Sequence, residues 1–168
     1  TAPRAWMTDS LRLALFVPGV TAVRTNGLRS QETVDAEARA DAVGRHQIFF
    51  AAGSATLDPG QRQAVAALSA DVGALVAASQ SAAMDVIVEA IGRTDETGSE
   101  AANTKLGARR AETVVAALVS GGLDRRLFAV GASQATDPSP DDGQRARKRR
   151  VDLHVRLTRA ADARASGR

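Results

Sequence analysis

Met84-Asp85-Val86-Ile87-Val88-Glu89-Ala90-Ile91 decides the fold class. Val86, Val88 and Ala90 share one face of an extended chain and Ile87 and Ile91 share the other, which is the two-residue period of a β-strand. On its N-terminal side, Val65, Leu68, Val72, Leu75 and Val76 recur at three- and four-residue steps, the stripe of a helix. Asp58-Pro59 starts that helix, since Asp caps free amides and Pro at the first position sacrifices no hydrogen bond. Its end is expected near Ser79. On the C-terminal side, Gly92 to Gly98 reads as a polar loop and Ser99 as a helix cap. Leu106, Ala111, Val114, Val115 and Leu118 then form a second stripe, stopped by Gly121-Gly122.

Further strands are expected at His46–Phe50, Leu127–Val130 and Val151–Leu157, with a Pro-, Asp- and Ser-containing loop over 135–143. The order β-α-β-α-β, loop, β predicts an α/β domain over residues 45–158, its sheet covered by helices on one or both faces. Residues 1–44 are then an N-terminal extension, a linker or the tail of a preceding domain, and 159–168 a polar C-terminal tail. Within the extension, residues 11–24 carry a Pro18-Gly19 break and read as strand, turn and short strand. Residues 31–44 read as a weakly amphipathic helix through Val34, Ala38 and Ala42, leading into the domain.

Composition narrows the chemistry. Across 168 residues, 22 basic and 19 acidic side chains nearly balance, so the pI near 10.4 reflects arginine and the absence of Tyr and Cys rather than a nucleic-acid footprint. Without cysteine there is no disulfide framework, thiol nucleophile or thiolate metal site. No apolar run approaches the length of a membrane span. His46 and His154 are the only imidazoles, and no nucleophile elbow, zinc-protease motif or phosphate loop accompanies them, so neither an enzyme, a cofactor nor a metal is expected. Asp137, Asp141 and Asp142 lack regular cation-ligand spacing.

What remains is a polar constellation. Asp95 lies at the entrance to the second helix, where free amides and the helix dipole favour negative charge. Asn103, Leu106 and Arg110 follow at steps of three and four, so Asn103 and Arg110 stand within roughly 20° of each other around the helix and Arg109 points elsewhere. Two readings are open. Asp95 and Arg110 can pair with each other on the surface, or Asp95 can take an ammonium and Arg110 a carboxylate of one zwitterionic ligand.

The pattern Gly92-Arg93-Thr94-Asp95-Glu96-Thr97-Gly98-Ser99, Asn103 to Leu106, Arg110-Ala111 to Val114, and Arg149-Arg150-Val151 resembles the OmpA-like peptidoglycan-binding domain, found also in Pal lipoproteins and MotB stator proteins. Ile48-Phe49-Phe50, with Ser54-Ala55 and Leu57, resembles the family's opening strand and loop. The resemblance implies a βαβαβ-type two-layer sandwich with helices packed on a mixed sheet. It implies non-covalent binding of the peptidoglycan stem peptide, with Asp95 on the diaminopimelate ammonium, Arg110 on its carboxylate, and Thr94, Asn103 and Arg149 shaping the pocket. It further implies the periplasm or cell envelope, a membrane-anchored domain outside this chain, and retention strengthened by tethered or homo-oligomeric copies. An interaction module of an envelope machine, a stator or secretion anchor with weakened or lost wall binding, is the alternative.

Three positions depart from the family pattern. Arg93 replaces a usual His and sets a cation near Asp95 that competes for it or adds a ligand contact. Gly107 replaces a usual Ser and is expected to loosen its helix by up to about 1 kcal/mol relative to Ala. Lys148 stands where Asn normally precedes Arg-Arg-Val. The basic run Arg145, Arg147, Lys148, Arg149 and Arg150 has no aromatic stacking partners and overlaps that block, so a solvated, partly ligand-facing edge is expected and nucleic acid is not.

Overall fold

A computed structural model of the chain describes residues 2–23, 29–95, 99–134 and 141–159. Strand β2, Met84–Thr94, is its hub: it pairs in parallel with β3, Phe128–Gln134, on one side and antiparallel with β4, Arg150–Arg159, on the other. The short β1, Gln47–Phe49, adds antiparallel to β4, so the mixed sheet runs β1-β4-β2-β3. Helices α3, Pro59–Ser81, and α4, Glu100–Ser120, pack on the sheet. The result is the two-layer α/β sandwich that the resemblance implies, and it agrees with the element order, which left one or both faces of the sheet open to helices.

The core lies between the layers. Val88 and Ala90 of β2 and Val151 and Leu153 of β4 meet Val65, Leu68, Val72 and Leu75 of α3 and Val114, Val115 and Leu118 of α4. By composition α3 is long and apolar enough to cross a bilayer, contrary to the expectation of no such run. Its apolar stripe, however, faces the domain core. Its start is as read: Asp58 accepts the Gln61 amide at 2.8 Å and Pro59 opens the first turn. Asp58→Ala is expected to cost about 1 kcal/mol in urea unfolding, and an unchanged midpoint would show that the cap is energetically idle.

Four local expectations are corrected. Residues 4–14 form helix α1 (Arg4–Ala14) and 15–23 form turns and irregular chain, where strand, turn and strand were expected over 11–24; Arg24 falls outside the described residues. The alternating Leu11, Leu13 and Leu15 have no strand beside them among the described residues, while Met7, Ser10, Leu11 and Ala14 are half-buried at helical spacing. Helix α2, Gln31–Gly44, forms as expected, but it buries Ala36 and Val43 rather than Val34, Ala38 and Ala42. It packs on α3 and β4, so it supplies core as well as leading into it. The expected loop over 135–143 contains the start of α5, Asp142–Lys148, capped by Asp141; residues 135–140 lie outside the described set. Finally, β2 continues three residues past Ile91, through Gly92, Arg93 and Thr94.

That extension positions the site. Gly92 on β2 and Gly107 on α4 meet backbone to backbone: a Cβ at Gly92 would stand 1.8 Å from the Gly107 carbonyl oxygen, and one at Gly107 would stand 2.7 Å from the Gly92 carbonyl oxygen. Gly107 is therefore required for the approach of helix to sheet, and its expected role as a weak point of α4 is corrected.

Candidate functional site

The glycine contact brings one face of α4 against the end of β2. Asn103, Gly107 and Arg110 are all buried on that face, and Arg109 is exposed, as the helical spacing requires. Ser99 caps the helix by accepting the Ala102 amide. The Asn103 side-chain amide reaches the Asp95 carbonyl at 3.4 Å.

Arg110 is fully enclosed. Its Nε donates to the Ser54 carbonyl at 2.8 Å, Nη1 to the Arg93 carbonyl at 2.9 Å and Nη2 to the Ala51 carbonyl at 3.0 Å, while the guanidinium carbon lies 5.4 Å from the Phe50 ring centroid. Three of its five N–H groups thus tie the loop after β1 to the end of β2. Burial lowers its pKa; the Asp95 carboxylate opposes that shift and the Arg149 guanidinium adds to it.

Asp95 is 8% exposed, and its Oδ2 accepts from Arg149 Nη1 at 3.0 Å. Arg149 reaches it from the C-cap of α5, at the junction with β4. Arg149 Nε, and the Oγ1 of Thr94 one residue before Asp95, are enclosed with no hydrogen-bond partner among the described residues. All five expected residues, Thr94, Asp95, Asn103, Arg110 and Arg149, thus come together where β2, α4 and the α5–β4 junction meet. Asp95 and Arg110 are both buried, so they do not form a surface pair.

Arg93 is turned away from this cluster. Its Nε donates to Asp152 at 2.5 Å, and Arg150 Nε holds the other oxygen of that carboxylate at 2.7 Å. The expectation of a cation competing for Asp95 is corrected by strand alternation, which puts Thr94 on the core face and Arg93 on the opposite one. Sequence reading missed the roles of the Ala51 and Ser54 carbonyls, which carry no side-chain signal, and quoted Gly92 in the pattern without its role, which is the contact with Gly107. His46 hydrogen-bonds Asp71 at 2.7 Å and His154 is exposed on β4, both away from the cluster.

The sequence profile of the OmpA family matches residues 49–151. Outer membrane protein A of Bordetella avium is 35% identical over 111 residues, covering 64% of this chain and 53% of that protein, so the chain spans about half the length of this curated relative. Among solved structures, the peptidoglycan-associated lipoprotein from Burkholderia pseudomallei superposes with a TM-score of 0.57 at 21% identity, over 67% of this chain and 91% of that one. The C-terminal domain of Helicobacter pylori MotB gives 0.55 at 20% identity, over 71% and 89%. The cell wall anchor of the T6SS from Pseudomonas aeruginosa gives 0.50 at 20% identity, over 66% and 75%. At these identities the likeness is one of fold.

Proposed function

Because the chain belongs to the OmpA family, a family of the cell envelope, we propose that it binds the peptidoglycan stem peptide non-covalently through diaminopimelate and anchors an envelope protein to the wall. The observation that carries this reading is a buried carboxylate held by the Arg149 guanidinium, with Arg149 Nε and the Oγ1 of the preceding Thr94 enclosed and without a partner among the described residues. Buried polar atoms are rarely left unsatisfied in native proteins, and an incoming polar ligand would supply the missing partners. Asp95 takes the ammonium. Arg110 answers the carboxylate with the N–H groups it does not spend on backbone, and Thr94, Asn103 and Arg149 shape the pocket.

Two or three charge-assisted hydrogen bonds at about 1.5 to 3 kcal/mol each, less the ordering of a flexible peptide, correspond to roughly micromolar to millimolar affinity per site. The wall repeats its stem peptide, so tethered or oligomeric copies gain retention through effective concentration. A membrane-anchored domain outside this chain would complete such an anchor. One observation favours the alternative of an interaction module with weakened or lost wall binding: Arg110 is fully enclosed and already gives three N–H groups to backbone carbonyls.

Co-sedimentation with purified diaminopimelate-type peptidoglycan separates the two. The wild type is expected to pellet with it, and Asp95→Ala to lose about tenfold or more in affinity, the equivalent of one charge-assisted hydrogen bond. Wall material with lysine in place of diaminopimelate lacks the second carboxylate and is expected to bind more weakly. Equal retention of wild type and Asp95→Ala would remove Asp95 from the site, and no retention of wild type would leave the interaction module.

A further inference from the structure

Arg149 and Arg110 both act on Asp95, but they are held very differently. Arg110 is locked by three backbone carbonyls and enclosed completely. Arg149 sits between the seven-residue α5, which buries no residue, and β4; its carbonyl accepts the Phe50 amide at 2.9 Å, so its backbone is held by the sheet while its side chain has one hydrogen-bonded carboxylate among the described residues. Its position against Asp95 is also incompletely satisfied: Nη1 has the carboxylate at 3.0 Å, while Nε is enclosed without a partner among the described residues. A guanidinium that occupies the ammonium acceptor through one hydrogen bond and leaves its Nε unsatisfied there is suited to exchange that carboxylate while its backbone stays in place.

Resting on the diaminopimelate reading, we infer that Arg149 is the specificity-determining residue of the pocket: it holds Asp95 in the free protein, yields it to the incoming ammonium, and turns its guanidinium to the ligand's carboxylate. The reason is charge balance. Asp95, Arg110 and Arg149 together carry one net positive charge, and exchange with a zwitterion keeps that sum. A simple amine would displace Arg149 from Asp95 and leave two guanidiniums and the new ammonium facing one carboxylate. Buried like charges without partners are strongly disfavoured, so the exchange rejects amines that bring no carboxylate. Arg149 thus converts an aspartate that would accept any cation into one that accepts an amino acid end.

The test uses two probes on the full chain, followed by NMR titration: meso-diaminopimelate, and 1,5-diaminopentane, which keeps both amines and has neither carboxylate. Wild type is expected to prefer diaminopimelate. Arg149→Gln is expected to weaken diaminopimelate about tenfold, one charge-assisted contact, and to strengthen diaminopentane several-fold. Arg149→Lys, which keeps the charge, is expected to restore most of the wild-type preference. A purely structural Arg149 would weaken both probes together. An unchanged preference in Arg149→Gln, or a parallel loss of both probes in Arg149→Gln and Arg149→Lys, overturns the exchange while leaving the binding reading intact. Failure of wild type to bind diaminopimelate at all overturns both.

Discussion

Gly92→Ala is expected to destabilise the domain by about 3 kcal/mol or more, beyond the usual range for overpacking. The new Cβ would stand 1.8 Å from the Gly107 carbonyl oxygen, and the colliding group is helix backbone, which has no rotamer to escape into. Relief requires α4 to lift from β2, the very contact that brings Asn103 and Arg110 toward Asp95, so ligand binding should fall with stability. Gly107→Ala should be milder. Its Cβ would lie 2.7 Å from the Gly92 carbonyl oxygen and 3.2 Å from Ala132 Cβ, and that collision is only partly offset by the better helix propensity of Ala, about 1 kcal/mol. Urea denaturation of both variants checks the order. A Gly92→Ala protein with the wild-type midpoint would contradict the backbone contact.

Arg110→Met is expected to cost about 3 to 5 kcal/mol, the penalty of removing one partner from a buried charged cluster. The substitution strands the carbonyls of Ala51, Ser54 and Arg93 and removes a cation lying over the Phe50 ring. Arg110→Lys keeps the charge, but a single ammonium cannot replace a planar fork reaching three acceptors, so it should recover only part of the loss. Equilibrium unfolding is the check, and a loss under 1 kcal/mol in Arg110→Met would show that the three hydrogen bonds do not hold the loop. This bears on every binding experiment. Arg110 is built into the fold as well as facing the site, so loss of wall binding in an Arg110 variant does not by itself establish a ligand contact, whereas Asp95 can be changed to Asn with little change in shape.

The elements most legible in the sequence are those whose period is local. The stripes Val65 to Leu75 and Leu106 to Leu118 mark α3 and α4, and Asp58 and Ser99 cap them as read. The same periodicity places Asn103 and Arg110 on one face and leaves Arg109 outside. Misreadings arise where a partner distant in sequence decides. Gly92-Arg93-Thr94 has the composition of a loop and becomes strand because Ala132, Ser133 and Gln134 pair with it. Had β2 been carried to Thr94, alternation from Val86 would have turned Arg93 to the opposite face from the site. Helix propensity alone makes Gly107 a defect, and only its contact with Gly92 explains it. The carbonyl cage of Arg110 is backbone chemistry, so no residue type announces it.

Titration of the tripeptide L-Ala–D-Glu–meso-diaminopimelate into wild type and Asp95→Asn, followed by NMR, tests the proposed site most directly. Saturable shifts at Thr94, Asp95, Asn103 and Arg149 in the wild type, weakened about tenfold or more in a folded Asp95→Asn, are the expected result. Equal affinity in the two proteins would contradict the assignment of Asp95 as the ammonium acceptor.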